Sequence, residues 1–208
     1  MKKDLVVTLA DGNYFDQARQ VLSSVYHYSG WKGDYMLLAV RMNREQREWF
    51  EGKGIIVKEI DDIAKNSLPH HPTTVLGKFA LFGPGMENWR RIVYLDADTS
   101  VTASLDRLLD LKGFWAAADF HDMKLRGQFK TPREFGNAKE EGREYDTLRS
   151  DYDLNMVTFN SGVMAFDGEM TGKEQYDRLM DLYERYKAIT LHDQSILNLL
   201  FYDGWNRL

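Results

Sequence analysis

The chain has 208 residues, 43% of them hydrophobic and 28% charged, with a net charge of −5 at pH 7 and no cysteine. That size suits one folded domain over residues 1–208, and the composition excludes a disordered chain, disulfides, thiolate catalysis and cysteine-held zinc. The acidic balance argues against broad nucleic-acid binding, which depends on a basic surface that neutralises phosphates.

From the N-terminus, Lys2 and Lys3 precede an apolar run, Leu5 to Ala10, that is too short for a secretory signal and stops at Asp11. No stretch is long enough to span a bilayer, so a soluble, cytoplasmic protein is expected. The ending Trp205–Asn206–Arg207–Leu208 also suits a domain taken from a longer chain. Leu5 to Leu9 reads as a strand closed by the turn formers Asp11, Gly12 and Asn13. Phe15, Ala18, Val21, Leu22 and Val25 then recur at helical spacing, and Gly30 stands where a helix should stop. A second strand is expected over Tyr35–Val40, followed by a polar helix that Asn43 and Gln46 open as a capping box. Ile55–Ile60 reads as a third strand.

After the loop Pro69–His70–His71–Pro72, a short helix is expected over Val75–Phe82, then a strand over Arg91–Leu95 that runs into Asp96. Trp115–Ala118 forms another apolar run, closed by Asp119. His121 to Asn155 is mixed in charge and weakly periodic, and reads as a long loop with a helical turn at most; such loops are functional or mobile. Order returns with a strand over Thr158–Phe166. Thr171 and Glu174 have the form of a capping box for an amphipathic helix reaching about Lys187, and Ser195–Phe201 reads as a last apolar helix. Strands alternating with helices are the mark of an α/β domain with a mostly parallel central sheet flanked by helices.

Asp96 and Asp98 are the most informative residues. Residues i and i+2 of an extended chain project to the same side, so the two carboxylates share one place at a strand end. They repel unless a cation or proton lies between them. Hard oxygen ligands suit manganese or magnesium, and ligands of open α/β sheets bind beyond the carboxyl ends of the strands. The bland alternative has Asp98 capping the segment from Thr99 and Asp96 merely solvated.

The string Arg91 to Thr99, RIVYLDADT, resembles the metal-binding segment of family-8 glycosyltransferases, the family of glycogenin and the bacterial lipooligosaccharide galactosyltransferases. Three further stretches agree in the same order. Ala10–Asp11–Gly12–Asn13–Tyr14, at the end of the strand that carries Thr8, resembles the family's nucleotide-base loop. The resemblance implies that Asp11 accepts from the uracil edge and Tyr14 stacks on its face; a plain Asp-Gly turn is the alternative. Phe159 to Val163 resembles the family's strand at the sugar site, with Asn160 on a sugar hydroxyl, Ser161 beside it and Gly162 allowing close backbone approach; without the family it would read as an edge strand. His192–Asp193–Gln194–Ser195–Ile196–Leu197–Asn198 resembles the family's helix start that places Asp193 on the donor sugar and Gln194 beside the anomeric carbon. Asp193 also suits an N-cap for the last helix. Lys78 resembles the basic residue placed before the metal strand to offset pyrophosphate charge, against the alternative of a solvated helix lysine. Asp119 matches an acidic position near the donor sugar.

The resemblance implies a single GT-A domain, Rossmann-like and nucleotide-sugar-binding, that moves a hexose from a nucleoside diphosphate sugar, favoured as UDP, to an acceptor hydroxyl of a carbohydrate or glycoconjugate, with retention and with Mn2+ or Mg2+ as cofactor. Because Gln194 is an amide, departure and attack on one face fit better than a covalent intermediate. The family's third metal ligand, a histidine in a His-x-x-Gly-x-x-Lys-Pro-Trp segment, has no counterpart here; among the five histidines, His192 sits closest to the matched motifs. Weak metal affinity without nucleotide is the expected consequence. LDADT also fits the nucleophile motif of haloacid-dehalogenase-type phosphatases, but those place it on the first strand and need a downstream lysine followed by paired acidic residues; here it lies mid-chain and no Asp-Asp pair follows it, Asp61–Asp62 coming before. A non-catalytic nucleotide-sugar-binding module is the other competing reading. A dinucleotide-binding oxidoreductase is disfavoured because no G-x-G-x-x-G follows the first strand.

Overall fold

A computed structural model of the chain describes residues 2–60, 76–130, 140–186 and 191–208. Its frame is one seven-stranded sheet. The strands are β1 (Leu5–Asp11), β2 (Asp34–Val40), β3 (Ile56–Glu59), β4 (Arg91–Leu95), β5 (Phe114–Ala118), β6 (Phe159–Asp167) and β7 (Trp205–Arg207), in the order β3-β2-β1-β4-β6-β5-β7. All neighbours pair in parallel except β6, which runs antiparallel to both β4 and β5. The helices are α1 (Phe15–Tyr28), α2 (Arg44–Glu51), α3 (Asp106–Leu109), α4 (Glu140–Asp151), α5 (Lys173–Arg185) and α6 (His192–Leu200).

Strand β1 shows why the sheet lies in the middle. Its side chains alternate by a period of two: Leu5, Val7 and Leu9 join the core that holds α5 and α6, while Val6 and Ala10 join the core under α1 and α2. A strand covered on both faces is apolar along most of its length, hence the run Leu5–Ala10 with Thr8 as its polar member. The α2 capping box is present, with Asn43 Oδ1 accepting from Gln46 N at 2.9 Å and Gln46 Oε1 accepting from Asn43 N at 3.2 Å. Gly30 has φ +70° just past α1, the left-handed conformation that ends a helix.

Five expectations need correction. Thr171 does not cap α5: its hydroxyl closes the preceding turn by donating to Gly168 O at 2.6 Å, and Gly172, at φ +119°, leads into the helix at Lys173. The last helix begins at His192, with Leu191 in the N-cap position, so Asp193 lies inside the first turn and is no cap. The described residues of the segment read as a loop hold two short 3₁₀ turns and the twelve-residue helix α4, anchored by buried Leu148 with Tyr145 and Tyr152 against the core that also holds α5 and α6. Strand β6 is interior, flanked on both sides, and the short edge strand β7 carries no signal in the sequence. The expected helix before β4 is a 3₁₀ segment, Gly77–Phe82, buried at every position; Val75 and the Pro69–Pro72 loop lie outside the described residues.

Candidate active site

The carboxyl ends of β1 and β4 meet in a cavity of about 350 Å³ whose wall includes Tyr14, Lys78, Asp96, Asp98, Asn160 and Gln194. At its floor lies Lys78, buried within the 3₁₀ segment. Its Nζ stands 3.1 Å from Asp96 Oδ1 and 3.0 Å from Asp193 Oδ2, and donates to Ser161 Oγ at 3.1 Å and Ser161 O at 3.2 Å. Burial alone would lower the lysine pKa, yet the facing carboxylates of Asp193 and Asp96 win, and the ammonium is held above its ordinary range. One cation therefore ties the strand-end aspartate to the helix-start aspartate. This disposes of the solvated-lysine reading.

Asp96 is also far from merely solvated. Tyr94 OH donates to its Oδ1 at 2.5 Å, and the backbone N–H of Asp96 donates to Gly162 O at 2.8 Å. Burial, reinforced by Asp96, pushes the Tyr94 phenol well above its usual pKa, so it remains a donor. The sequence held the signal for Tyr94, two residues before Asp96 and hence on the same side of the strand. Gly162 leaves the room for this packing: a Cβ on it would lie 2.8 Å from both Asp96 Oδ2 and Asn160 Oδ1, and those side chains would have to shift. Asn160 Oδ1 accepts from Gly162 N at 2.8 Å.

Around α6 the polar side chains form one chain of bonds. Ser161 Oγ donates to Asp193 Oδ2 at 2.8 Å, and Ser161 N donates to Gln194 Oε1 at 3.1 Å. Gln194 Nε2 in turn donates to Asp119 Oδ2 at 2.7 Å, where Gln128 Nε2 and Thr158 Oγ1 also arrive, at 3.1 and 3.3 Å. Both ends of the Gln194 amide are thus engaged and its orientation is fixed. Gln128 and Thr158 escaped the sequence reading because only the tertiary fold brings them to Asp119. Asp119 itself is buried behind Gln194 and does not line the cavity.

On the β1 side, Asp11 Oδ1 accepts from Asn13 N at 2.9 Å and Tyr14 N at 3.3 Å, shaping the turn that presents the Tyr14 ring, 49% exposed. Thr8 and Ala10 are buried in the domain interior and Asn13 is exposed beside Tyr14; none of the three side chains lines the cavity. His192 does line it, at φ +46°, yet the described residues contain no group of three His, Asp or Glu side chains that could hold a metal ion. His192 is therefore not assembled with Asp96 and Asp98 as a third ligand.

A mostly parallel sheet with acidic residues at the tip of β4 and an aromatic loop after β1 is the arrangement of a GT-A glycosyltransferase domain. A sequence model of glycosyl transferase family 8 matches residues 6–208, and the chain belongs to that family of enzymes. It is 26% identical over 217 residues to the glycosyltransferase GlyB of Streptococcus pneumoniae serotype 4, a match that takes in all of this chain and 47% of GlyB. Among solved structures it resembles the bifunctional glycosyltransferase WbbM (TM-score 0.68, 16% identity, 100% of this chain and 38% of that one). It also resembles an active-site mutant of LgtC (TM-score 0.67, 20% identity, 98% and 72%). These structural likenesses establish the fold. The chain spans about half the length of the curated relative it matches. Family membership sets aside the phosphatase reading of LDADT.

Proposed function

We propose that this domain transfers a hexosyl group from a nucleoside diphosphate sugar, a UDP-sugar, to a hydroxyl of a carbohydrate or glycoconjugate acceptor. The observation that carries the reading is the buried Lys78 ammonium bridging Asp96 and Asp193 at the floor of a cavity with an exposed Tyr14 ring on its wall. Tyr14 offers a flat apolar platform for a base and Asp11 an acceptor for an imide N–H. Lys78 supplies fixed positive charge where a diphosphate would lie, and Asp193 and Asn160 offer polar atoms to the sugar hydroxyls.

The donor set fits a hard divalent cation. Asp96 and Asp98 border the same cavity, and the missing side chain of Gly162 leaves Asp96 Oδ2 uncrowded. Manganese or magnesium held there by two carboxylates, with ligand oxygens completing the shell, would offset the charge that grows on a departing diphosphate. Gln194, with its carbonyl committed to Ser161 and its amide nitrogen to Asp119, is a fixed polar wall and a poor nucleophile. That supports departure and attack on one face, with retention.

Thermal unfolding tests this directly. A ligand at a hundred times its Kd adds about 2.7 kcal/mol, or roughly 5–10 °C in a domain of this size. UDP-sugars with manganese should give such a shift, chelator should reduce it, and the Asp96→Asn/Asp98→Asn double variant should lose it. A double variant stabilised as much as the parent would overturn the assignment. Binding without measurable donor hydrolysis or transfer would favour the non-catalytic module.

A further inference from the structure

A second cavity, of about 460 Å³, opens between α1 and α2 at the other end of the sheet. Tyr35, on its wall, pairs in register with Val6 near the start of β1, roughly 16 Å along the strand from Asp11. Three properties distinguish it from an ordinary surface dimple. In a chain of net charge −5, its wall carries Arg19 and Lys53 and, among the described residues, no carboxylate. Both cations gather on one flat ring: Arg19 Cζ lies 4.4 Å from the Trp49 ring centroid and Lys53 Nζ 5.7 Å from it. The remaining wall sets the apolar side chains of Leu22 and Ile55 beside Ser23, Tyr26, His27 and Tyr35, whose hydroxyl is buried with no hydrogen-bond partner among the described residues.

We propose that this cavity is a binding site for a small organic anion with a flat apolar body, of the aryl carboxylate kind. The size is that of small-molecule sites, which are mostly apolar with a few placed polar groups. A planar ring fits against Leu22 and Ile55, and the carboxylate meets Lys53 and the guanidinium of Arg19, which Trp49 holds in place. Among the described residues Asp16 is the acid paired with Arg19, at 2.9 Å to Nη1, and it is exposed outside the wall, so the pair is screened and leaves the inner side of the guanidinium to a ligand. The site stands apart from the residues of the candidate active site, and it holds whether or not the transfer reaction proposed above is correct.

The test is calorimetric titration with 2-naphthoate, using 2-naphthol as a neutral body of nearly the same shape. One naphthoate should bind per chain, and naphthol should bind roughly tenfold more weakly for want of the charge-assisted contact. Lys53→Gln, at an exposed position, should weaken naphthoate by a similar factor. Ser23→Trp, also at an exposed position on the wall, should fill the cavity and abolish binding while thermal unfolding stays cooperative. Asp98→Asn, in the other cavity, should leave naphthoate affinity unchanged. No binding at millimolar naphthoate, equal affinity for naphthol, or undiminished binding to both cavity variants would each overturn the proposal.

Discussion

Replacing Lys78 by Met removes the ammonium while keeping the length and apolar stem of the side chain, which isolates the charge. The buried cation has two partners of unequal weight. Asp193 has a side chain only 9% exposed, so its pairing counts nearly in full, whereas Asp96 is 38% exposed and its pairing is discounted for solvent. Stripping one partner from a buried pair costs about 3–5 kcal/mol, and the low end, about 3 kcal/mol, applies here. In a domain of this length that is roughly 6–12 °C of melting temperature. Urea unfolding followed by circular dichroism measures it, with an unchanged slope showing that only stability has moved. The pH dependence adds a sharper check. The Lys78 pKa is raised above 10.5 in the fold, so its stabilisation is complete below the unfolded value and fades only as pH climbs past it. The gap between parent and Lys78→Met should hold steady from neutral pH up to the unfolded value of 10.5 and close only above it. A gap under about 1 kcal/mol, or one already closing by pH 8, would refute the bridging role and mean that burial had won over the carboxylates.

Other substitutions probe the rest of the site. Gly162→Ala forces a methyl to within 2.8 Å of Asp96 Oδ2 and Asn160 Oδ1. It should cost about 1–3 kcal/mol of stability and also abolish stabilisation by UDP-sugar with manganese; retained ligand stabilisation would remove Asp96 from the donor site. Asn198 bridges α6 to β6, accepting from Phe159 N and donating to Phe159 O, both at 2.9 Å. Asn198→Leu orphans both groups and should lower stability by about 2–4 kcal/mol in urea unfolding; a near-neutral result would mean water replaces the bridge. Asp119→Asn meets the Gln194 amide nitrogen with an amide of its own, so Gln194 should turn and release Ser161. Transfer should then fall at least roughly tenfold while the variant stays folded, and full activity would show that Gln194 needs no such positioning.

How far the sequence reached depended on the distance over which each signal acts. The α2 capping box and the stop at Gly30 were legible because they are settled by a few neighbouring residues. Helix α4 was hidden because its apolar positions, Tyr145 and Leu148, are sparse within a run of charges. Thr171 and Glu174 had the spacing of a cap, but the hydroxyl found a nearer acceptor at Gly168 O, a competition that composition cannot reveal.

By itself the chain determined a two-faced parallel sheet and a pair of carboxylates at the tip of β4, since strand alternation and i, i+2 geometry are local properties of the backbone. Only the tertiary structure decided that Lys78 would be buried against Asp96 and Asp193, that Asp119 would hold Gln194 from behind, and that Thr8 and Ala10 would face inward. Those outcomes follow from how β6 and α6 pack on the sheet. A buried charge persists only where distant segments deliver its counter-charges, and no single stretch of sequence records that meeting.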